Sequence, residues 1–108
     1  MKNIDGQLYE LHAEMCKVFT SAKRLEVINA LRNGEKSVGI LVKELRISQA
    51  NLSQHLGILR EKGVVKTRRE GTTVFYSLAF PKIIKAFDII REMLMERIAR
   101  AGRMAVRL

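Results

Sequence analysis

The chain has 108 residues, with 20 Lys and Arg against 11 Asp and Glu and a formal net charge of +9; its pI is near 10.2. That length bounds it to one domain with a small core, and that charge favours a polyanionic partner. A single cysteine excludes an internal disulfide and agrees with a reducing compartment, while the lack of any apolar run near ~20 residues and of a basic-then-apolar start argues against a membrane span or signal peptide, so a cytoplasmic protein is expected.

The positive charge is graded along the chain, with +2 in residues 1–47, +3 in 48–80 and +4 in 81–108. Over residues 5–19, Leu8, Leu11, Met15 and Val18 or Phe19 fall on one stripe while Glu10, Glu14 and Lys17 fall off it. That pattern predicts an amphipathic helix, which Asp5 can cap. Ser21 opens a second helix whose Leu25, Ile28 and Leu31 face the core, and Gly34 ends it. Ser37 caps a short third helix to about Leu45, with Ile40, Leu41 and Leu45 inward, and the turn Arg46-Ile47-Ser48 leads into a fourth. In that fourth helix Leu52, Leu56 and Leu59 recur at i, i+4 and i+7, Ser48 is placed as N-cap, and Gly63 offers a left-handed stop. The period then changes. Val64 to Thr67 and Thr73 to Leu78 predict two short strands, with Arg68-Arg69-Glu70-Gly71-Thr72 as the turn between them. Pro81 sits where a helix can begin, and Ile83, Ile84, Phe87, Ile90, Leu94 and Ile98 carry an apolar stripe through residues 81–101. No repeat, low-complexity segment or flexible linker interrupts residues 1–108, so a single domain is expected, mainly α with a small β-hairpin.

The face of the fourth helix away from its leucines carries Gln49, Ala50, Ser53, Gln54 and Gly57 in place of the Lys/Glu mixture of an ordinary solvated face. Amides and hydroxyls donate to and accept from base edges, and Ala and Gly allow a backbone to come close, which is what reading the major groove of double-stranded DNA requires. The hairpin turn, with Arg68, Arg69 and Thr72 around a glycine, suits phosphate or minor-groove contact. Arg60, Lys62 and Lys66 add charge for the DNA backbone.

The run NLSQHLGILREKGVVKTRREGTTVFYSL, residues 51–78, resembles the recognition helix and wing of the ArsR/SmtB family of winged helix-turn-helix transcriptional regulators. The stretch LVKELRISQANLSQHL resembles that family's first helix-turn-helix helix and turn, and Ser21-Ala22-Lys23-Arg24-Leu25-Glu26-Val27-Ile28 resembles the helix before it. The resemblance implies a winged helix-turn-helix fold with its wing at about 64–78. It also implies a homodimer formed through helices at about 5–19 and 81–101, and repression from a pseudo-palindromic operator with one recognition helix per subunit in successive major grooves. The apolar stripes of the first and last helices exceed what a small core needs and point independently to a second subunit. Arg97, Arg100, Arg103 and Arg107 make the end of the last helix basic, an arrangement that the helix dipole favours on its own.

The family is known for metal sensing, so its ligand positions bear on the effector. Where it often carries Cys-x-Cys in the first helix-turn-helix helix, this chain has Leu41-Val42-Lys43. Where many members place Asp-x-His before the last helix, it has Phe80-Pro81-Lys82, and then Met93 and Glu96 at the positions further down. At Leu41 and Lys43 an alkyl chain and an ammonium group cannot act as soft or borderline metal ligands. Neither usual site and no cofactor is expected, and the effector is left open: a small molecule, a redox cue, or none. His12 and Cys16, spaced i, i+4 on one face of the first helix, remain as half a site, or as a buried cysteine beside an interfacial histidine. His55 reads as a packing or phosphate-contact residue. No glycine-rich phosphate loop, apolar carboxylate pair or nucleophile with its base points to an enzyme, and a protein-interaction adaptor would show an acidic or apolar recognition face. A nonspecific winged-helix nucleic-acid or chromatin-coating protein is the alternative that net charge alone does not separate from a specific regulator.

Overall fold

Three serine hydroxyls fix three helix starts in the computed structural model, which describes residues 3–102. Ser21, Ser37 and Ser48 accept hydrogen bonds from the backbone N–H groups of Arg24, Ile40 and Asn51 at 3.3, 3.3 and 3.1 Å. Each satisfies a donor that has no partner inside its helix. They open α2 (Ala22–Ala30), α3 (Val38–Leu45) and α4 (Gln49–Glu61). Before them lies α1 (Asn3–Val18); after them come β2 (Val65–Glu70), β3 (Thr73–Leu78) and α5 (Ile83–Ala101). A two-residue strand, β1 (Lys36–Ser37), precedes α3 and pairs antiparallel with β3, so the sheet order is β1-β3-β2.

The core forms where α2, α3 and α4 meet the base of the sheet. Val27 and Ile28 of α2, Leu41 of α3, Leu52, Leu56 and Leu59 of α4, and Val64, Val65 and Leu78 of the hairpin are all buried, joined by Val18 and Leu31. Leu52, Leu56 and Leu59 thus lie on the inward face that their spacing predicts. Ile40 does not. It is 47% exposed, because a helix beginning at Val38 turns Val38, Leu41, Val42 and Leu45 toward the core at i, i+3, i+4 and i+7. Leu25 is only half-buried, and Val27 takes the deeper place in α2.

Boundaries shift for identifiable reasons. Strand β2 runs on through Arg68, Arg69 and Glu70, and pairs Glu70 with Thr73. The predicted five-residue turn is therefore a two-residue loop, Gly71-Thr72, with Gly71 at φ 62 as its first residue. Asp5 lies in the first turn of α1, not at its cap; there it complements the helix dipole. Pro81 sits one turn before α5, its carbonyl accepting from Ile84 N–H at 3.0 Å. The turn between α3 and α4 is made by Arg46 in left-handed conformation, φ 53 and ψ 50, without a glycine.

At its far end α4 closes with Gly63 at φ 77. Its N–H bonds the Arg60 carbonyl at 3.0 Å, and that of Val64 bonds the Leu59 carbonyl at 2.8 Å. These are the paired bonds of a Schellman stop, and they swing the chain from helix directly into β2. Nothing lies within 4 Å of a Cβ built on Gly63 or on Gly57. An alanine at either site therefore acts through backbone preference alone. Gly63→Ala is expected to lower unfolding free energy by about 1 kcal/mol, whereas Gly57→Ala, in the helix interior, should raise it by roughly 0.5–1 kcal/mol. Urea denaturation of the two variants checks the opposite signs.

Candidate DNA interface

The burial of Leu52, Leu56 and Leu59 turns the other side of α4 outward. Gln49, Ala50, Ser53, Gln54 and Gly57 are all exposed; Ala50, Ser53, Gln54 and Gly57 fall within about 100° of one another around the helix. The open space over Gly57 leaves that sector free for close approach by a partner's backbone. The expected base-reading set is thus brought together on one accessible surface.

The cations expected around it divide into two groups. Arg60, Lys66 and Arg69 are exposed and have no ion pair among the described residues, and Thr72 is exposed at the hairpin tip. Lys62 instead caps the far end of α4, its Nζ 4.0 Å from Glu14 of α1. Arg68 is more fully engaged. Its Nε lies 3.0 Å from both Glu35 carboxylate oxygens, and one terminal nitrogen lies 2.7 Å from Oε1. Its guanidinium also lies over the Phe75 ring, 4.6 Å from the centroid. Arg68 was expected as a wing contact; its fork is occupied within the protein because β2 extends past the predicted turn and Glu35 faces it from the segment before β1.

His55 is half-buried on α4, and its Nδ1 is buried without a hydrogen-bond partner among the described residues. Burial first, then the positive charges of Arg24 and Lys23, hold its pKa below the ordinary imidazole value. It is neutral at pH 7 and so suits packing better than pairing with phosphate. His12 and Cys16 are both exposed one turn apart on α1, so Cys16 is not buried within its own chain. Among the described residues no three His, Cys, Asp or Glu side chains come together as a metal site, and no helix is long and apolar enough to cross a membrane. Arg97 and Arg100 end α5 exposed, Arg100 lying 3.8 Å from Glu96; Arg103 and Arg107 lie outside the described residues.

Two long-range ion pairs that are also hydrogen-bonded carry no local sequence signal. One is Glu35–Arg68. The other is Arg32–Asp88, a two-pronged pair at 2.7 and 3.1 Å that ties the turn after α2 to α5. Both lower the carboxylate's pKa and raise the arginine's through their hydrogen bonds.

Residues 21–67 match the model of the arsR family of bacterial regulatory proteins. The chain is 38% identical over 88 residues to the HTH-type transcriptional regulator Rv0081 of Mycobacterium tuberculosis, covering 81% of this chain and 77% of that protein. The crystal structure of Rv0081 superposes with a TM-score of 0.79 at 35% identity, over 88% of this chain and 97% of that one. The chain belongs to the ArsR family. It is also similar to the biofilm growth-associated repressor of Agrobacterium fabrum, 42% identical over 72% of this chain and 67% of that protein. To the transcriptional activator HlyU of Vibrio cholerae it is 37% identical over 73% of each. The homodimeric winged helix-turn-helix DNA-binding domain of Mb0332 from Mycobacterium bovis superposes with a TM-score of 0.75 at 25% identity, over 84% of each chain. In this ArsR-family DNA-binding regulator, α3 and α4 form the helix-turn-helix and the β2–β3 hairpin follows them as the wing.

The state of His55 predicts how stability follows pH. Its folded pKa is lowered, so the unfolded chain takes up the proton first; the contribution of neutral His55 is complete above about pH 6.5 and is lost as pH falls below it. The carboxylates of Glu14, Glu35 and Asp88 have pKa values lowered by Lys17, Arg68 and Arg32 respectively. Their contributions are present above their unfolded values and decline only below about pH 4.5. Unfolding free energy from urea melts is therefore expected to begin falling as pH drops below about 6.5, before the carboxylates protonate, and His55→Asn to flatten that slope.

Proposed function

We propose that this ArsR-family regulator acts as a homodimeric repressor, binding a pseudo-palindromic operator with one α4 helix per subunit in successive major grooves. The observation that carries the reading is the exposed face of α4, on which amide, hydroxyl and small side chains stand together without a charge among them. Gln49, Ser53 and Gln54 read bases, and Ala50 and Gly57 allow close approach. Arg69 and Thr72 hold the wing to the backbone or minor groove, and Arg60 and Lys66, with Lys62 further along, supply phosphate charge. Base-edge contacts on a wing-anchored helix favour a specific regulator over a nonspecific coating protein.

Dimerisation is supported by apolar surface that the chain leaves uncovered. Leu8 and Leu11 of α1 are 60% and 66% exposed, and Ile90 and Met93 of α5 are 57% and 62% exposed. Such surface on two helices is what a second subunit buries, and the related Mb0332 domain is a homodimer. Repression is proposed from the likeness to the Agrobacterium fabrum repressor.

Footprinting on the DNA flanking its own gene should reveal an inverted repeat whose half-sites lie one helical turn, about 10–10.5 base pairs, or a multiple apart. On that operator Gln54→Ala is expected to weaken binding by roughly 1–3 kcal/mol while leaving random DNA nearly unchanged, because a base-edge contact carries the discrimination. Equal losses on both DNAs would favour the coating protein.

Metal release is not part of the proposal. Leu41, where the family often has a thiolate, is fully buried in the core, and a ligand without different affinity for two states shifts neither. Micromolar zinc, cobalt or arsenite is expected to change operator affinity by less than about threefold, or under roughly 0.7 kcal/mol. A near-ultraviolet thiolate band on cobalt titration that disappears in Cys16→Ser and tracks loss of DNA binding would overturn this.

A further inference from the structure

We propose that Glu35, Phe75 and Arg68 form a strap that fixes the wing to the start of the helix-turn-helix, and that Arg68 is a positioning residue and not a DNA contact. The inference rests on the wing holding DNA, as proposed above. In the sheet register Arg68 stands opposite Phe75, and Phe75 opposite Ser37. Because side chains alternate along a strand, these residues share one face of the sheet, and Arg69 points to the other. The Arg68 side chain leaves β2, lies over the Phe75 ring of β3 at 4.6 Å, and reaches Glu35 beside β1 at 2.7 and 3.0 Å. It crosses the central strand completely.

The position of Glu35 gives this crossing its meaning. It stands two residues before Ser37, whose hydroxyl caps α3. A strand that carries the wing is thereby clamped to the residue pair that begins the first helix of the helix-turn-helix. The strap also neutralises its own cation, since Glu70 lies a further 3.8 Å from Arg68. Two carboxylates facing one guanidinium leave little net charge for phosphate, whereas Arg69, on the opposite face, has no ion pair among the described residues. An exposed ion pair contributes little to stability. What a two-pronged arginine stacked on a ring supplies is geometry: it holds Arg69 at a set height above DNA already engaged by α4.

Charge-conserving variants of the full chain test this, with affinity for a random-sequence duplex measured over a range of salt. Arg68→Lys keeps the charge without the fork, and Glu35→Asp keeps the charge without the reach. Each is expected to weaken binding by roughly two- to fivefold at unchanged salt slope, and the double variant to be no worse than either. Arg69→Gln, by contrast, should lower the slope of log affinity on log salt by about 0.9. In the Arg68→Lys background Arg69→Gln should cost less than in the parent, a coupling that general weakening of the fold would not produce. Parent-like binding by Arg68→Lys, with a slope loss in Arg68→Gln, would make Arg68 a phosphate contact and overturn the strap. Tighter binding by Glu35→Asp would make the carboxylate a competitor of DNA and overturn it equally. If the strap variants bind like the parent while Arg69→Gln weakens binding, the strap alone falls; if Arg69→Gln is also without effect, the wing reading falls and the strap with it.

Discussion

The burial of one leucine row sets the geometry of the whole reading head. Leu52, Leu56 and Leu59 are essentially inaccessible, and fully burying a side chain of that size is worth about 1.5–3 kcal/mol each. A helix is a rigid cylinder, so fixing that face against α2, α3 and the start of β2 also fixes the azimuth of Ala50, Ser53, Gln54 and Gly57 on the other. No contact is needed on the outer side to hold it in place. The outer residues are thereby free to be chosen for a partner, and their lack of charge records that freedom. The same row sets the elevation of the wing, because the helix that ends at Glu61 passes through Gly63 into Val65, itself part of the core.

The hairpin is a short lever on that base. Val65 and Leu78 pair at its root and are buried, while Glu70 and Thr73 pair at its tip and are exposed. A two-stranded ribbon is marginal in water on its own. Here β1 adds a third strand, and the stacked Arg68–Phe75 pair lies on the face of the sheet opposite the buried Val65 and Leu78. The isolated worth of such an exposed pair is small, but a lever needs stiffness more than depth of energy, and a guanidinium held by both a carboxylate and a ring has few alternative positions.

Much of the helical framework was legible in the sequence because its signals are local. Serines three residues ahead of a backbone donor, leucines at i, i+4, i+7 and a glycine past the last turn each act within one or two helical turns; the serines, the leucine row and Gly63 stand where they were read, whereas α2 ends at Ala30 with Leu31 as its cap, short of Gly34. Ile40 was misplaced although Ser37 caps α3 as read: Ile40 and Leu41 are neighbours about 100° apart on the helix, and the stripe that packs inward is Val38, Leu41, Val42 and Leu45. Strand β1 left no signal, since two polar residues cannot show a period. The missed strand also hid Glu35, whose partner lies 33 positions away. Arg68 then looked free, because residues 68–72 read as a turn while the ladder that continues through Glu70 depends on pairing with β3.

The outer helices pose the opposite case, in which the pattern is plain and its cover lies beyond the chain. Helix α1 has 16 residues, close to the length at which an isolated helix is marginal in water, and its apolar side chains up to Met15 are largely exposed. Few interactions join it to the rest: Val18 enters the core, the Val18 carbonyl accepts from Arg24 Nε at 2.8 Å, and Lys62 lies 4.0 Å from Glu14. In α5 no residue is fully buried, and Arg32 with Asp88 and Phe87 anchors only its first half. Burying those stripes on another surface would add to their order. If that surface is a second copy, ordering of α1 and α5 is linked to association by mass action, and the same event sets the spacing between two reading heads. Folding of the outer helices and the geometry of operator recognition would then be one equilibrium, with the Arg32–Asp88 pair as the joint between them.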